Sequence, residues 1–206
     1  MFLRRFARAI SALFCFGPCR FWRATVVTPV IASLLCSASA CAQASISAEY
    51  RSEANALALL PSFIEWPSAS FASPDKPLRV CVYGYFSFGT VLSELTRTET
   101  TQGRRIEVRW VRKESELRDC QIVFISRSEQ KNYSRLLGLL HGSATLTVGE
   151  TKDFAESGGM VEFSYENGVL TFEVNLVPVG EAHLRISSNF LSLARHVMRS
   201  TESAKS

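Results

Sequence analysis

The order of short apolar runs and amphipathic stretches constrains the fold of this chain more than any other feature. Four runs have the length and composition of strands, and the stretches between them have helical spacing. We predict strands at 78–83, 105–111, 121–126 and 144–148, helices at 88–97 and 129–140, and a helical turn at 114–118. Strands that alternate with short helices are typical of a sheet covered by helices.

The pattern changes in the C-terminal part of the chain. Two alternating runs, Met160–Tyr165 and Val169–Leu176, are joined by Glu166-Asn167-Gly168. Asn-Gly between two such runs is a strong β-hairpin signal. The sequence therefore predicts an α/β fold with a mixed sheet of about six strands flanked by helices, and a hairpin in its C-terminal half.

A helix is predicted at each end of this region. The first covers 48–65, with Pro61 as a kink because proline lacks an N–H and crowds the preceding turn, and a loop at 68–77 follows it. The last covers 189–199, with Ser188 as its N-cap.

The N-terminal segment has the pattern of an export signal. Five arginines precede the first acidic residue, Glu49, and an apolar run from Ala24 to Leu35 is followed by small residues. That run is shorter than the roughly 20 apolar residues of a membrane-spanning helix. We predict a cleaved signal peptide at 1–44, ending in Ala42-Gln43-Ala44, and one domain outside the cytoplasm at 45–206. The alternatives are cleavage after Ala40 and lipid attachment at Cys41.

Charge argues against a nucleic-acid partner. The chain has a formal net charge of +4, but without those five arginines it carries 18 Lys and Arg against 19 Asp and Glu. A nucleic-acid role needs a basic field over the folded part. Arg104, Arg105, Arg109, Arg112 and Lys113 do form a local basic cluster, which is either a solvated edge strand or a surface for an acidic partner.

Two of the six cysteines lie outside the predicted leader, Cys81 and Cys120, each in or next to a predicted strand. If those strands are neighbours, a disulfide would close a loop of about 40 residues and stabilise the fold by about 4 kcal/mol. The alternative is a pair of buried free thiols.

No catalytic or metal-binding motif is legible in the sequence. The three histidines, His141, His183 and His196, have no metal-ligand spacing, and no P-loop, G-x-S-x-G or H-E-x-x-H occurs. The sequence therefore predicts no cofactor and favours a binding protein over an enzyme. The loops at 84–89 and 158–159 are glycine-containing turns that could instead contact a small ligand.

An ordered series of segments resembles a known family. The series is Phe63-Ile64-Glu65-Trp66-Pro67, Arg79-Val80-Cys81-Val82-Tyr83-Gly84, Asp119-Cys120-Gln121-Ile122-Val123-Phe124-Ile125-Ser126, Leu146-Thr147-Val148, Ser157-Gly158-Gly159-Met160, Phe172-Glu173-Val174-Asn175-Leu176 and Leu184-Arg185-Ile186-Ser187-Ser188. It is similar to the YfiR family of small bacterial periplasmic proteins over residues 50–198. Pro61 and the lack of a cysteine at 149–163 depart from the family pattern, and the second departure argues against a redox switch.

The resemblance implies a single α/β domain, often dimeric, with a structural Cys81–Cys120 disulfide. It also implies repression of an inner-membrane diguanylate cyclase through the periplasmic sensor region of that enzyme, relieved by an outer-membrane lipoprotein. Cyclic-di-GMP signalling and biofilm formation would then fall. Our candidate interface residues are Glu65, Trp66, His183 and Arg185. The alternative function is a periplasmic small-ligand sensor or carrier.

Overall fold

The structure is a computed structural model that describes residues 48–73, 75–85 and 90–199. The chain divides into two units, 1–41 and 42–206, and every described residue belongs to the second. The predicted signal peptide and Cys41 lie outside the described residues.

The helices and strands follow the alternation that the sequence predicts. The α-helices are α1 (48–59), α2 (Val91–Thr96), α3 (Tyr133–Leu140), α4 (Leu176–Glu181) and α5 (Ser188–Leu193). The strands are β1 (Ile64–Glu65), β2 (Leu78–Tyr83), β3 (Thr100–Thr101), β4 (Arg104–Val111), β5 (Ile122–Ile125), β6 (Leu146–Gly149), β7 (Val161–Glu166), β8 (Val169–Asn175), β9 (Arg185–Ile186) and β10 (His196–Met198). Short 3-10 segments occupy Leu60–Phe63, Ser68–Ser70, Glu114–Asp119 and Arg127–Asn132.

One mixed sheet of eight strands organises the domain, in the order β10-β8-β7-β6-β5-β2-β4-β3. The central strands β4, β2, β5, β6 and β7 run parallel, whereas the β7–β8 and β3–β4 pairs are antiparallel. The predicted fold class is confirmed. The strand number exceeds the expected six because short strands extend both edges of the sheet.

Hydrophobic residues fill both faces of the central strands, which explains their continuous apolar sequence. On one face Val80, Val82 and Phe124 pack with α1 residues such as Leu57. On the other face Val123 packs in a second cluster with residues of α3. Both layers exclude solvent at the centre of the sheet.

The predicted hairpin is confirmed. Phe163 pairs with Phe172 across β7 and β8, and the connecting residues Asn167 and Gly168 have φ values of 53° and 78°. Two successive positive φ values are those of a type I′ turn, for which Asn-Gly is the preferred sequence.

The first helix is shorter than predicted. Regular α-helix ends at residue 59, and Pro61 lies near the start of the 3-10 segment that follows. Proline is tolerated there because the first N–H groups of a helical segment lack partners within it. Ile64 and Glu65 then leave helical geometry and form β1.

The prediction of a last helix at 189–199 was wrong in its second half. Helix α5 ends at Leu193, and β10 pairs in parallel with β8. The N-cap is Ser187, whose hydroxyl accepts from the Phe190 N–H at 3.3 Å, and not Ser188. Residues 196–198 form a strand because the backbone N–H and C=O groups at the open edge of β8 need hydrogen-bond partners, which a continued helix would not supply.

Cys81 and Cys120 form a disulfide, as predicted, with their Cα atoms 6.0 Å apart. Cys81 lies in β2, and Cys120 directly precedes the 121–125 stretch that pairs with β2. Both residues are buried. The bridge therefore joins two neighbouring parallel strands inside the second hydrophobic layer.

Candidate functional site

Three of the four candidate interface residues lie on or next to one small surface. Strands β1 and β9 form an antiparallel two-stranded ribbon, in which Glu65 pairs with Arg185. Both side chains are exposed, while Ile64 on the opposite side of the ribbon is fully buried. We call this surface the β1/β9 ribbon. It places opposite charges side by side, where they attract each other across the strands.

His183 lies in the turn that leads from α4 into this ribbon, and its side chain is exposed. Its φ is +54°, the left-handed conformation that usually requires glycine. Its N–H donates to the Gly180 carbonyl and the Leu184 N–H donates to the Val179 carbonyl, both at 3.0 Å. These two bonds are the Schellman termination of a helix. The backbone of His183 therefore fixes the direction in which the chain enters β9.

Trp66 differs from the other three candidates because its side chain is only 8% exposed. Its indole Nε1 donates to the Gln121 carbonyl at 3.3 Å, and its ring belongs to the main hydrophobic cluster. Trp66 therefore closes the first helix onto the core and does not project to solvent beside the other three candidates.

The residues of the predicted basic cluster differ in their environments. Arg104 donates to the Ser73 and Lys76 carbonyls and lies 3.9 Å from the Phe71 ring centroid, so it has a packing role. Arg105, Arg112 and Lys113 remain exposed, along or just after strand β4. This strand lies near one edge of the sheet, where charge discourages pairing with other chains.

A second charged surface was not predicted. A cleft of about 760 Å³ opens where the parallel strands β5 and β6 end. Arg127 follows β5 and Glu150 follows β6, and both line the cleft. In open α/β sheets, this carboxyl edge is where ligands generally bind. We call it the acidic cleft, for the composition of its walls.

Carboxylates dominate these walls. Three cationic side chains, from Arg127, Lys152 and Arg195, line the cleft together with a larger set of acids. The acids are Glu49, Glu150, Asp153, Glu156, Glu162, Glu166 and Glu173. Asp153 and Glu156 are exposed, and within the described residues their carboxylates form no ion pair.

The side wall of the cleft is a row across three strands. Glu162, Glu173 and His196 occupy matched positions on β7, β8 and β10. Arg195 forms ion pairs with Glu166 and Glu173. The positive charge of Arg195 is therefore already paired with these two carboxylates of the cleft wall. His196 was expected on a helix and instead lies on a strand beside these acids.

Burial raises the pKa of two acids that line the cleft, Glu150 and Glu162. Burial raises the pKa of Glu150, although the Arg127 N–H, which donates to its Oε1 at 2.7 Å, opposes that rise. Burial likewise raises the pKa of Glu162, against a hydrogen bond from the Ala155 N–H at 3.1 Å.

Glu53 lies on α1 and does not itself line the cleft, although the charges of the lining residues Glu150, Glu49 and Arg127 act on it. It is 3% exposed, and among the described residues its Oε2 has no hydrogen-bond partner. Burial and the negative charges of Glu150 and Glu49 raise its pKa from 4.5 to about 8, although Arg127 opposes them. At neutral pH Glu53 is therefore mostly an uncharged carboxylic acid.

Gly158, Gly159 and the described part of the other predicted loop, residues 84–85, do not line this cleft. Gly159 allows the ring of Phe154 to pack against the backbone, because a Cβ at this position would overlap the ring. The pair at 158–159 therefore has a structural role, and of the loop at 84–89 residues 86–89 lie outside the described range. The alternation of polar residues on β7 and β8 indicates one polar face of the hairpin, but it does not indicate a cleft, which needs residues from other parts of the chain.

Membrane spans and metal clusters are both absent from the described residues. In that part of the chain, no helix has both the length and the apolar character to cross a membrane. Nor does any group of three or more His, Cys, Asp or Glu side chains in the described ranges have an arrangement suited to a metal ion.

Solved structures give only distant likeness. The chain is similar to the crystal structure of a conserved domain protein from Vibrio cholerae, with 9% identity, a TM-score of 0.43, and coverage of 58% of this chain and 54% of that chain. It is also similar to an ABC domain in complex with L-Trp from Streptococcus pneumonia, with 11% identity, a TM-score of 0.48, and coverage of 70% and 60%. The chain thus spans less than two thirds of either structure.

The family comparison covers most of the domain. No curated protein matches the chain. A model of the YfiR/HmsC-like family matches residues 50–195, which include every strand of the eight-stranded sheet from β2 to β8 and the disulfide. The chain belongs to the YfiR/HmsC-like family.

Proposed function

We propose that this protein binds the periplasmic sensor region of an inner-membrane diguanylate cyclase and represses it. The observation that carries the proposal is membership of the YfiR/HmsC-like family over residues 50–195. That family is regulatory, not catalytic, and periplasmic. Repression would lower cyclic-di-GMP and with it biofilm formation. In the same proposal the protein is exported and homodimeric, and an outer-membrane lipoprotein releases it from the cyclase.

The β1/β9 ribbon is the surface that we propose for cyclase binding. It presents Glu65, His183 and Arg185 to solvent on a rigid support, since Ile64 and Leu184 anchor it in the core. Charged groups on such a surface specify a partner more than they add affinity.

A charge swap tests this surface without disturbing the fold. Glu65→Arg and Arg185→Glu each place like charges opposite each other in the ribbon, and the double variant restores opposite charges. We expect the double variant to fold with native stability and yet to lose repression, measured as cyclic-di-GMP in cells. The double variant leaves the net charge unchanged, and Glu94→Arg, at an exposed position of α2, controls for the change of net charge in Glu65→Arg alone.

If the double variant repressed the cyclase as well as the native chain does, the β1/β9 ribbon would not be part of the interface. It would leave the cyclase proposal itself intact, because another surface of the domain could make the contact.

Ligand sensing is the second candidate function, and the acidic cleft is the observation that favours it. Its volume of about 760 Å³ is in the range of small-molecule sites. A ligand that binds only the folded protein would raise its midpoint of thermal unfolding.

A further inference from the structure

A second cavity, of about 370 Å³, lies at the amino ends of β2 and β5. Its lining comes from residues 70–79, which lead into β2, and from residues 118–121, which lead into β5. These strands are parallel, so the cavity and the acidic cleft lie at opposite ends of them. We call it the cationic pocket, because its described charged lining residues are Lys76, Arg79, Arg118 and Asp119, three cations and one acid.

The three cations keep hydrogen-bonding groups for a ligand. Lys76 and Arg118 are exposed, and within the described residues neither forms an ion pair. Arg118 Nε donates to the Leu139 carbonyl at 2.9 Å, and Arg79 Nε pairs with Glu107 at 3.3 Å. The Nη2 atoms of both guanidinium groups make no hydrogen bond with a described residue. Guanidinium groups held in this way can each direct further N–H groups at an anion.

Ser70 supplies an independent observation within the same lining. Its Oγ is buried and has no hydrogen-bond partner among the described residues. Its backbone is fixed, because Gln121 Nε2 donates to the Ser70 carbonyl at 3.0 Å while Gln121 Oε1 accepts from the Arg79 N–H at 2.9 Å. One amide side chain therefore ties Ser70 to Arg79. A buried hydroxyl without a partner is costly, and an anion in the pocket would accept its hydrogen bond.

We propose that the cationic pocket binds a small phosphate monoester, whose phosphate oxygens accept from Arg79, Arg118 and the Ser70 hydroxyl. Lys76 adds a third positive charge. Phe71, a half-buried lining residue, provides an apolar wall for the organic part of the ester. The cavity volume is in the range of small-molecule sites. The inference is independent of whether the protein represses a cyclase.

Asp119 gives the inference a test of sign. Its side chain is exposed, lines the pocket and forms no ion pair within the described residues. Its negative charge opposes a bound anion. Asp119→Asn should therefore strengthen binding of a phosphate monoester, by about threefold for an exposed charge. Weaker binding in this variant would mean that the pocket selects a cationic group.

Titration calorimetry of the purified exported protein with glycerol 3-phosphate tests the inference. At low ionic strength we expect saturable binding of one ligand per chain. Binding should weaken as salt is added, because salt screens exposed charges. Glycerol, the same organic group without the phosphate, should give no binding.

Matched variants separate the pocket from general ionic attraction. Lys76→Gln with Arg118→Gln changes only exposed side chains and should weaken binding at least about tenfold. Ser70→Ala keeps every charge and should weaken binding about fivefold, because one hydrogen bond to the phosphate is lost. Arg105→Gln removes an exposed cation of β4 that does not line the pocket, and should leave the affinity unchanged.

Two results would overturn the inference. One is the absence of saturable binding of glycerol 3-phosphate. The other is equal weakening by Arg105→Gln and by the double variant Lys76→Gln with Arg118→Gln, since the attraction would then belong to the whole surface and not to the pocket.

Discussion

Phe154 illustrates how single residues set the shape of this domain. Its ring is fully buried, packs edge-on against Tyr133 with centroids 4.9 Å apart, and lies over the backbone of Gly149 and Gly159. A side chain at either glycine would occupy the same space as the ring. The loop after β6 can therefore close over the sheet only because these two positions lack a Cβ.

We predict that Gly159→Ala lowers the free energy of unfolding by about 2 kcal/mol, because the ring of Phe154 must move. Gly138→Ala is the matched control: Gly138 lies in α3, where an added Cβ would meet only open space, and alanine should stabilise the helix by about 0.5–1 kcal/mol. Urea unfolding of both variants measures the difference, and equal effects would contradict this account of Phe154.

His183 gives the opposite prediction. Because its φ of +54° strains a residue with a Cβ, His183→Gly should raise the free energy of unfolding by about 1 kcal/mol. His141→Gly replaces an exposed histidine whose φ is −55° and should bring no gain. A loss of stability in His183→Gly would mean that the imidazole makes a contact worth more than the backbone strain.

At the scale of elements, the disulfide joins β2 to the start of the next strand in the sheet. The sequence separation of 39 residues includes α2, β3 and β4, so the bridge restricts a long segment of the unfolded chain. Replacing both Cys81 and Cys120 by alanine should cost about 4 kcal/mol. Thermal unfolding with and without a reductant measures this, and an unchanged midpoint in the reduced protein would contradict a stabilising role.

Elements with a strong local signal could be predicted from the sequence. Strand β2 matches the predicted 78–83, and the Asn167-Gly168 turn lies where the hairpin is predicted. Strand β10 could not be predicted, because residues 196–198 pair with β8 only through an edge that the tertiary fold creates. Helix α4 was missed because Leu176 continues the apolar alternation of β8, while the Asn175 side chain caps a helix there by accepting from the Val177 N–H.

The two candidate surfaces also differ in how much the sequence could indicate about them. No motif match supports Glu65 and Arg185 as interface residues, and the structure pairs them across the β1/β9 ribbon. The acidic cleft draws on α1, two strand ends, the hairpin and β10, which are far apart in sequence. Its negative character depends on this assembly, and no local motif could have revealed it.

At the scale of the whole molecule, Glu53 links stability to pH. Its pKa is about 8 in the folded protein and 4.5 in the unfolded reference, so the folded state binds more protons between these values. Stability therefore falls as the pH rises from 4.5 to about 8 and then levels off for this group. Glu53→Gln should remove that part of the decline and raise the free energy of unfolding at the alkaline end by up to about 5 kcal/mol, because one pKa unit corresponds to about 1.4 kcal/mol.

Chemical unfolding of the native chain and of Glu53→Gln over this pH range measures the effect. Glu94→Gln, an exposed change of the same charge, should retain the native pH dependence. If the free energy of unfolding depended on pH in the same way in the native chain and in Glu53→Gln, the raised pKa of a buried Glu53 would be contradicted.

We propose that this YfiR/HmsC-like protein restrains a membrane diguanylate cyclase from the periplasm. The most direct test is the cellular cyclic-di-GMP level in a deletion strain complemented either with the full chain or with a version lacking residues 1–44. We predict that deletion raises cyclic-di-GMP and that only the full chain restores the original level. An unchanged level after deletion, or equal restoration by the version without its leader, would contradict the account.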